Sequence, residues 1–355
     1  MSCLYFVRHY FLQIPAFMRR SRETAVAFAL AERLAEAVPD VCAVRRGMVI
    51  LAAETLWKPH SALSSEIRTN VQCLEHACAA SLIFPCYFGV DTAFTQKLNE
   101  QFHGEYRSTP LGAEGIWNLE DWGQTQANNK AVRNSIHAAL RQGLEVREHS
   151  WEEVVQVYCL RSKFQSVLHN WQAAKHLPTL GFVAESDIFR ETECCAEQPR
   201  RLFGAWRGDE LLGYVSGYSR LGDNVWYADQ FIRHPAAPVG TMEMCIDVAF
   251  RAAREAGTES ATLGLMPLAR VNTEKTPFVV LNNNFSRLLR FGALLGQHWY
   301  NVHGLTRFKQ KFLPHRTTPM FFCSHRSLPT GRLTLGLIEA FCGTSWHKAG
   351  SFFSR

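Results

Sequence analysis

No apolar run in this 355-residue chain reaches the roughly 18 to 20 residues that a membrane-spanning helix needs. Even the greasy N-terminus MSCLYFVRHYFLQIPAFMRR is broken by Arg8, His9 and Pro15. It also lacks the order of a secretory signal, because its charges lie inside and after the apolar residues. A cytoplasmic location is the expectation. CxxC pairs are absent as well: the cysteines number eleven, an odd count, and Cys194 and Cys195 are adjacent, which suits neither a disulfide ladder nor a zinc site. Cys73, His76 and Cys78 cluster without a second ligand pair and read as one side of an amphipathic helix. None of the 14 histidines falls in an HExxH motif, and no GxSxG motif is present. Metal-assisted hydrolysis and serine-nucleophile chemistry therefore have no sequence support, and no cofactor is expected.

What is present is a globular composition, with 47% hydrophobic and 20% charged residues over a length that accommodates two domains. The net charge of +6 is concentrated. Between residues 269 and 316 the chain carries Arg270, Lys275, Arg287, Arg290, Arg307, Lys309, Lys311 and Arg316 against Glu274 alone, an excess that by itself covers the total. Such a local field suits a polyanionic partner, RNA or an anionic lipid surface, although a solvated basic face has the same composition.

Hydrophobic periodicity divides the chain into two halves. An arm over 1–22 precedes a first domain over 23–148, with helices over 24–37 and along SSEIRTNVQCLEHACAA, two short strands around Arg46-Gly47, and the strand SLIFPCYFGV. The segment KAVRNSIHAALRQ reads as a helix, with Val132, Ile136 and Leu140 on one side, Arg133, His137 and Arg141 on another, and Gly143 ending it. A second domain over 149–326 opens with a helix near WEEVVQVYCLRSKF and passes through LPTLGFV to three meandering strands, RLFGAWR, LLGYVSGYS and VWYADQFI, with turns at Gly208-Asp209 and Gly222-Asp223-Asn224. The helix TMEMCIDVAFRAAREAG follows, then the strand ATLGLMPL, a helix around FSRLLRFGALL, a strand near 321–323, and a tail over 327–355. This order predicts an α/β (α+β) fold of tandem domains like the N-acetyltransferase (GNAT) core, each a mixed, largely antiparallel sheet flanked by helices.

Three stretches in order, ADQFIRHPAAPVGTME, LGLMPL and YNVHGLTRFKQKF, resemble the motifs of the lysyl-phosphatidylglycerol synthetase (aminoacyl-phosphatidylglycerol synthase) C-terminal domain family in its stand-alone soluble form. Looser similarity runs through Trp171 to Val183 and back to the basic helix at 130–143. The resemblance implies two GNAT-like domains and transfer of an aminoacyl group from aminoacyl-tRNA to a hydroxyl or amine acceptor. Departures from the pattern are Gln230 at the usual acidic place, Asp229 one position early, Val239 for Asn, and His303 and Thr306 where other types are common.

An aminoacyl ester is already activated, so the enzyme needs only to position it, to orient or deprotonate the acceptor, and to stabilise the oxyanion. Alternation along an unbroken strand places Tyr227, Asp229, Phe231 and Arg233 on one face and Trp226, Gln230 and Ile232 on the other. Asp229 and Arg233 then share a cleft, either as catalytic groups for the ammonium and the oxyanion or as a structural ion pair. Glu243 sits in the first turn of its helix, where capping alone accounts for an acid. If 302–312 is extended, Lys309 and Lys311 share a face, with Phe308 and Phe312 on the other. The resemblance implies Lys309 as a third catalytic group, Gln230, Glu243, Gly264, Arg307 and Lys311 as substrate-binding residues, and Arg133, Arg287 and Arg290 as tRNA contacts. The acceptor is a small molecule or a phospholipid reached from the surface, by way of an N-terminus and tail suited to an interface. Two rivals stand beside this reading. An acyl-CoA-dependent acyltransferase would share the fold, but the turn HPAAPVGT offers one glycine and two prolines where a pyrophosphate needs backbone N–H groups. A non-catalytic binding module that lost its acid at Gln230 is the other.

Overall fold

The computed structural model describes residues 42–45, 48–52, 84–174, 200–220, 224–270 and 302–342, together with Phe189, Asn282, residues 284–287 and Leu289. The expected helices at 24–37 and 64–80, the Cys73 and Cys194 neighbourhoods, Arg290, and the N-terminal arm lie outside the described residues, as do residues 343–355.

Ten strands form one continuous mixed sheet in the order β1-β2-β3-β10-β4-β9-β8-β7-β6-β5. In chain order they are β1 (Cys42–Arg45), β2 (Met48–Ala52), β3 (Phe84–Asp91), β4 (Tyr106–Asn118), β5 (Glu145–Ser150), β6 (Arg201–Arg207), β7 (Glu210–Arg220), β8 (Val225–Arg233), β9 (Ser260–Pro267) and β10 (Arg316–His325). Pairing is antiparallel except between β2 and β3 and between β8 and β9. The C-terminal strand β10 lies between β3 and β4, antiparallel to both, so the sheets of the two halves are fused.

Eight helices with described bounds accompany the sheet: α1 (Thr92–Gln101), α2 (Trp122–Asn128), α3 (Lys130–Arg141), α4 (Trp151–Gln156), α5 (Tyr158–Ala173), α6 (Thr241–Glu255), α7 (Val302–Gln310) and α8 (Thr330–Cys342); residues 284–287 and Leu289 are helical as well. Among the described residues, no helix is long and apolar enough to cross a membrane. The expected helix near WEEVVQVYCLRSKF is broken in two, because Val157 adopts an extended conformation with ψ 100°.

The periodicity of α6 buries Met242, Cys245, Ile246, Ala249, Phe250 and Ala253 against one face of the central strands. Trp226 and Ala228 of β8, Ala261 and Leu263 of β9 and Val215 of β7 meet them there. Phe250 is the hub, with ring centroids 4.9 Å from Trp122, 5.8 Å from Trp117 and 6.1 Å from Trp226. On the opposite face, α4 and α5 cover Tyr214 and Ile232 with Trp151, Val154, Phe164 and Leu168.

α3 packs across the start of α6. Gly240, which caps α6, has φ 98°, and a Cβ there would lie 1.9 Å from the Ser135 carbonyl oxygen. Any other residue would have to push the two helices apart.

Candidate active site

Two irregularities in neighbouring strands create the site. In β8, Ser216 of β7 pairs with Gln230 and Gly217 with Ala228, so Asp229 is an extra, bulged residue. In β9, Leu265 pairs with Glu114 of β4 and Thr262 with Ile116, which sets Leu263 and Gly264 against Gly115 alone. Gly264 has φ 72°, and a Cβ there would come within 3.0 Å of the Tyr227 hydroxyl. The parallel pairing of β8 with β9 ends at Tyr227 and Thr262, and beyond that point the strands diverge.

The bulge overturns the simple alternation expected for β8. Trp226, Ala228 and Phe231 face α6, whereas Gln230 and Ile232 turn to the α5 side. Asp229 bonds on that second side: its Oδ1 accepts from Ser216 Oγ at 2.5 Å and its Oδ2 lies 3.0 Å from an Arg200 nitrogen. Arg233, expected to share a cleft with Asp229, is exposed and donates to the Ala237 carbonyl at 2.6 Å. Gln230 is buried and accepts from the Tyr214 hydroxyl at 3.3 Å.

α7 fills the divergence. The segment expected to be extended is helical, since Leu305, Phe308 and Phe312 recur at spacings of three and four residues, and Phe308 and Phe312 pack in the α6 core. Thr306 and Lys309, three apart and both buried, therefore point the same way. Thr306 Oγ1 donates to the Pro267 carbonyl at 2.5 Å and Lys309 Nζ to the Leu265 carbonyl at 2.8 Å. The helix thus supplies donors to β9 where β8 has left it. Lys309 Nζ also lies 5.5 Å from the Phe231 ring centroid, so the cation sits in the wedge between the strands.

Lys311 does not share a face with Lys309. Its Nζ donates to Glu243 Oε1 at 2.7 Å and to Ser135 Oγ at 2.8 Å, which joins the end of α7 to α6 and α3. Asn129 reinforces the joint, capping α3 through Val132 N–H while its Nδ2 donates to the Lys311 carbonyl at 2.6 Å. Glu243 is therefore an ion-pair partner as well as a first-turn acid. Among the expected tRNA contacts, Arg287 is exposed and Arg133 is partly buried, donating to the Ala127 carbonyl. Arg307 is exposed on α7.

Several polar residues at this site have no counterpart in the sequence reading. On the face that carries Asp229, Arg220 Nη1 donates to Glu114 Oε1 at 3.1 Å and Thr262 Oγ1 donates to the same oxygen at 3.1 Å. Tyr218 and Tyr227 pack with tilted rings, centroids 5.6 Å apart, with the Arg200 guanidinium 5.7 Å from the first ring and that of Arg220 5.7 Å from the second. The only forewarning is an acid in an apolar stretch, Glu114 in LGAEGIW. Two buried thiols are held protonated: burial pushes Cys245, on α6, far up, with help from the Glu243 charge, and Cys323, on β10 against Ser108 and Thr95, up to about 11.

A family model described as phosphatidylglycerol lysyltransferase, C-terminal, matches residues 63–324. Among solved structures, a C-terminal domain assigned to a lysylphosphatidylglycerol synthetase of Agrobacterium fabrum is similar at a TM-score of 0.65 and 18% identity, over 85% of each chain. The structure called L-PGS from Bacillus licheniformis is similar at a TM-score of 0.60 and 15% identity, over 84% of each chain. No curated protein matches the sequence.

Proposed function

Since the chain belongs to the phosphatidylglycerol lysyltransferase C-terminal family, we propose that it moves an aminoacyl group from aminoacyl-tRNA to a hydroxyl or amine acceptor. The observation that carries the reading is the wedge between β8 and β9, where a buried ammonium and an anchored carboxylate flank a break in the sheet.

In this reading the acceptor oxygen or nitrogen attacks the ester carbonyl. The tetrahedral intermediate collapses with cleavage of the bond to the tRNA ribose oxygen, and the proton lost by the acceptor ends on that oxygen. Lys309, held against the Leu265 carbonyl, would stabilise the oxyanion as it forms. Asp229 has both oxygens engaged, by Ser216 and Arg200, which suits it to hold an ammonium in place rather than to shuttle a proton. Gln230, Glu243 and Lys311 support the site from behind, and Gly264 leaves room above Tyr227. Exposed Arg307 and Arg287, with Arg133, are offered as contacts for the tRNA phosphates. The step needs no cofactor.

The acyl-CoA alternative is weakened by the start of α6. Its first turn, Thr241–Met244, is buried, Gly240 abuts Ser135, and Glu243 places a carboxylate where a pyrophosphate would need free N–H groups. The acceptor is either a phospholipid met peripherally at the inner face of a membrane or a soluble compound.

The test is incubation with a pool of radiolabelled aminoacyl-tRNAs, with and without lipid and small-molecule extracts. Acceptor-dependent release of label from tRNA is expected. Turnover of acetyl-CoA instead, or tRNA binding without release, would replace this reading with one of its rivals.

A further inference from the structure

We infer that His315 is an acid-sensitive clasp, which ties the end of α7 to the corner between β4 and α2 only while its imidazole is neutral. The inference concerns how the helix that carries Lys309 is fastened, and it stands whatever reaction the site performs.

His315 lies in the connection from α7 to β10. The residues just before it are secured by groups remote in sequence: Asn129 Nδ2 donates to the Lys311 carbonyl at 2.6 Å and Trp117 Nε1 to the Phe312 carbonyl at 2.8 Å. The chain then turns at Leu313, whose φ of 54° is unfavourable for a leucine. His315 closes the turn. Its N–H donates to the Ile116 carbonyl at 3.0 Å, its Nδ1 accepts from the Asn118 N–H at 2.9 Å, and its Nε2 lies 2.8 Å from Thr125 Oγ1.

A backbone N–H can only donate, so Nδ1 carries no proton and the ring is the Nε2–H tautomer, donating to Thr125. A second proton has one place to go, Nδ1, where it faces the Asn118 N–H donor to donor. The bond is then lost and the ring has to turn away. His315 is exposed, so the proton reaches it without unfolding. The charges around it are Glu120 and Asp121 at the corner, Glu259 just ahead of β9, and Lys311 and Arg316 in its own segment; α2 has none. The acids draw a proton in, yet neither ring nitrogen is bonded to a carboxylate of a described residue, so no ion pair replaces the Asn118 bond. The closed clasp binds one proton fewer than the open one. It is therefore closed above the ordinary imidazole range, near pH ~6.5, and opens as pH falls through it.

His325, at the other end of β10, responds differently. Its Nδ1 accepts from the Ser327 N–H, two residues away, at 3.2 Å, and its Nε2 lies 3.3 Å from Glu105 Oε2. A proton there breaks a local bond and leaves a charge-assisted pair with Glu105. The far end of β10 holds while the near end lets go.

Two measurements on the full chain test the clasp. The imidazole ¹⁵N spectrum at pH 8, with His315 assigned by comparison with His315→Asn, should show the Nε2–H tautomer. Hydrogen exchange, corrected for its intrinsic pH dependence, should show peptides over 115–129 and 311–316 losing protection tenfold or more between pH 7.5 and 5.5, with 201–233 unchanged. In His315→Asn, Oδ1 stands where Nδ1 stood and gains no proton, so its protection should be independent of pH. Thr125→Val keeps the Asn118 bond and should retain the wild-type pH dependence, which carries the test if the asparagine variant does not fold. Equal protection of wild type at the two pH values, a loss shared by the whole chain or by His315→Asn, a pH response abolished in Thr125→Val, or an Nδ1–H tautomer would overturn the inference.

Discussion

The two faces of β7, β8 and β9 are built from the same strands and hold opposite contents. Towards α6 they present Val215, Trp226, Ala228, Ala261 and Leu263, packed around Phe250. Away from it they present Ser216, Tyr218, Arg220, Tyr227, Asp229, Gln230 and Thr262, tied by hydrogen bonds and two ion pairs. Apolar contact on the first face rewards volume and tolerates little change. On the second face each polar group is costly unless paired. One face supplies the stability against which the other is held in place, and substitutions should divide accordingly.

The largest effect is expected on the apolar face. Phe250→Ala removes the ring at the centre of three tryptophans and should cost about 3–5 kcal/mol of unfolding free energy by denaturant titration. Gly240→Ala, which presses a methyl against the Ser135 carbonyl, should cost about 3 kcal/mol by the same measure. Retention of full stability by either variant would break the contrast.

On the polar face the loss should be of activity. Asp229→Ala and Lys309→Ala are each expected to lower aminoacyl transfer by more than about a hundredfold, near 2.7 kcal/mol of transition-state stabilisation, with a circular dichroism spectrum like that of wild type. Near-normal turnover in either would show the wedge to be structural. Between these extremes lies the Lys311–Glu243 pair, which touches the site only through helix positions. Lys311→Met should lower turnover by about tenfold, and exchanging the two residues, Glu243→Lys with Lys311→Glu, should recover part of it if the pair acts by charge.

The smallest effect concerns the thiols. Cys323 stays protonated in the folded chain up to about pH 11, against an ordinary 9.0. Its contribution to stability is therefore complete below pH 9 and is lost as pH rises from 9 towards 11, where the unfolded thiol ionises and the folded one does not. At pH 8, alkylation followed by peptide mapping should modify exposed Cys159 and spare Cys245 and Cys323.

Much of the framework was legible in the sequence because it follows a single period. The strands of β6 to β9 and the helix over Thr241–Glu255 stand where alternation and three-to-four spacing place them. What escaped the sequence reading was departure from period. β4 went unread because Pro110, Gly112 and Gly115 interrupt it, and with it went Glu114. The bulge at Asp229 exists only in the pairing with Ser216 and Gly217, a contact that no local window contains, and it reversed the partners assigned to Asp229 and Arg233. The segment around Lys309 carries both periods, Phe308 and Phe312 at helical spacing and Lys309 and Lys311 at strand spacing, and packing against the α6 core selected the helix. Lys309 was found, while Lys311 and Glu243 proved to be each other's partner.

The position of β10 has a consequence for the order of synthesis. β3 and β4 are separated in the sheet by a strand that begins at Arg316. While a ribosome is still translating the second half, the first half has both strands but not the one that joins them, and each shows an unpaired edge. The chain cannot complete its N-terminal half first and then add the rest, as separate domains do. Until the strand ending at His325 has emerged, the nascent protein needs protection from pairing those edges with another chain.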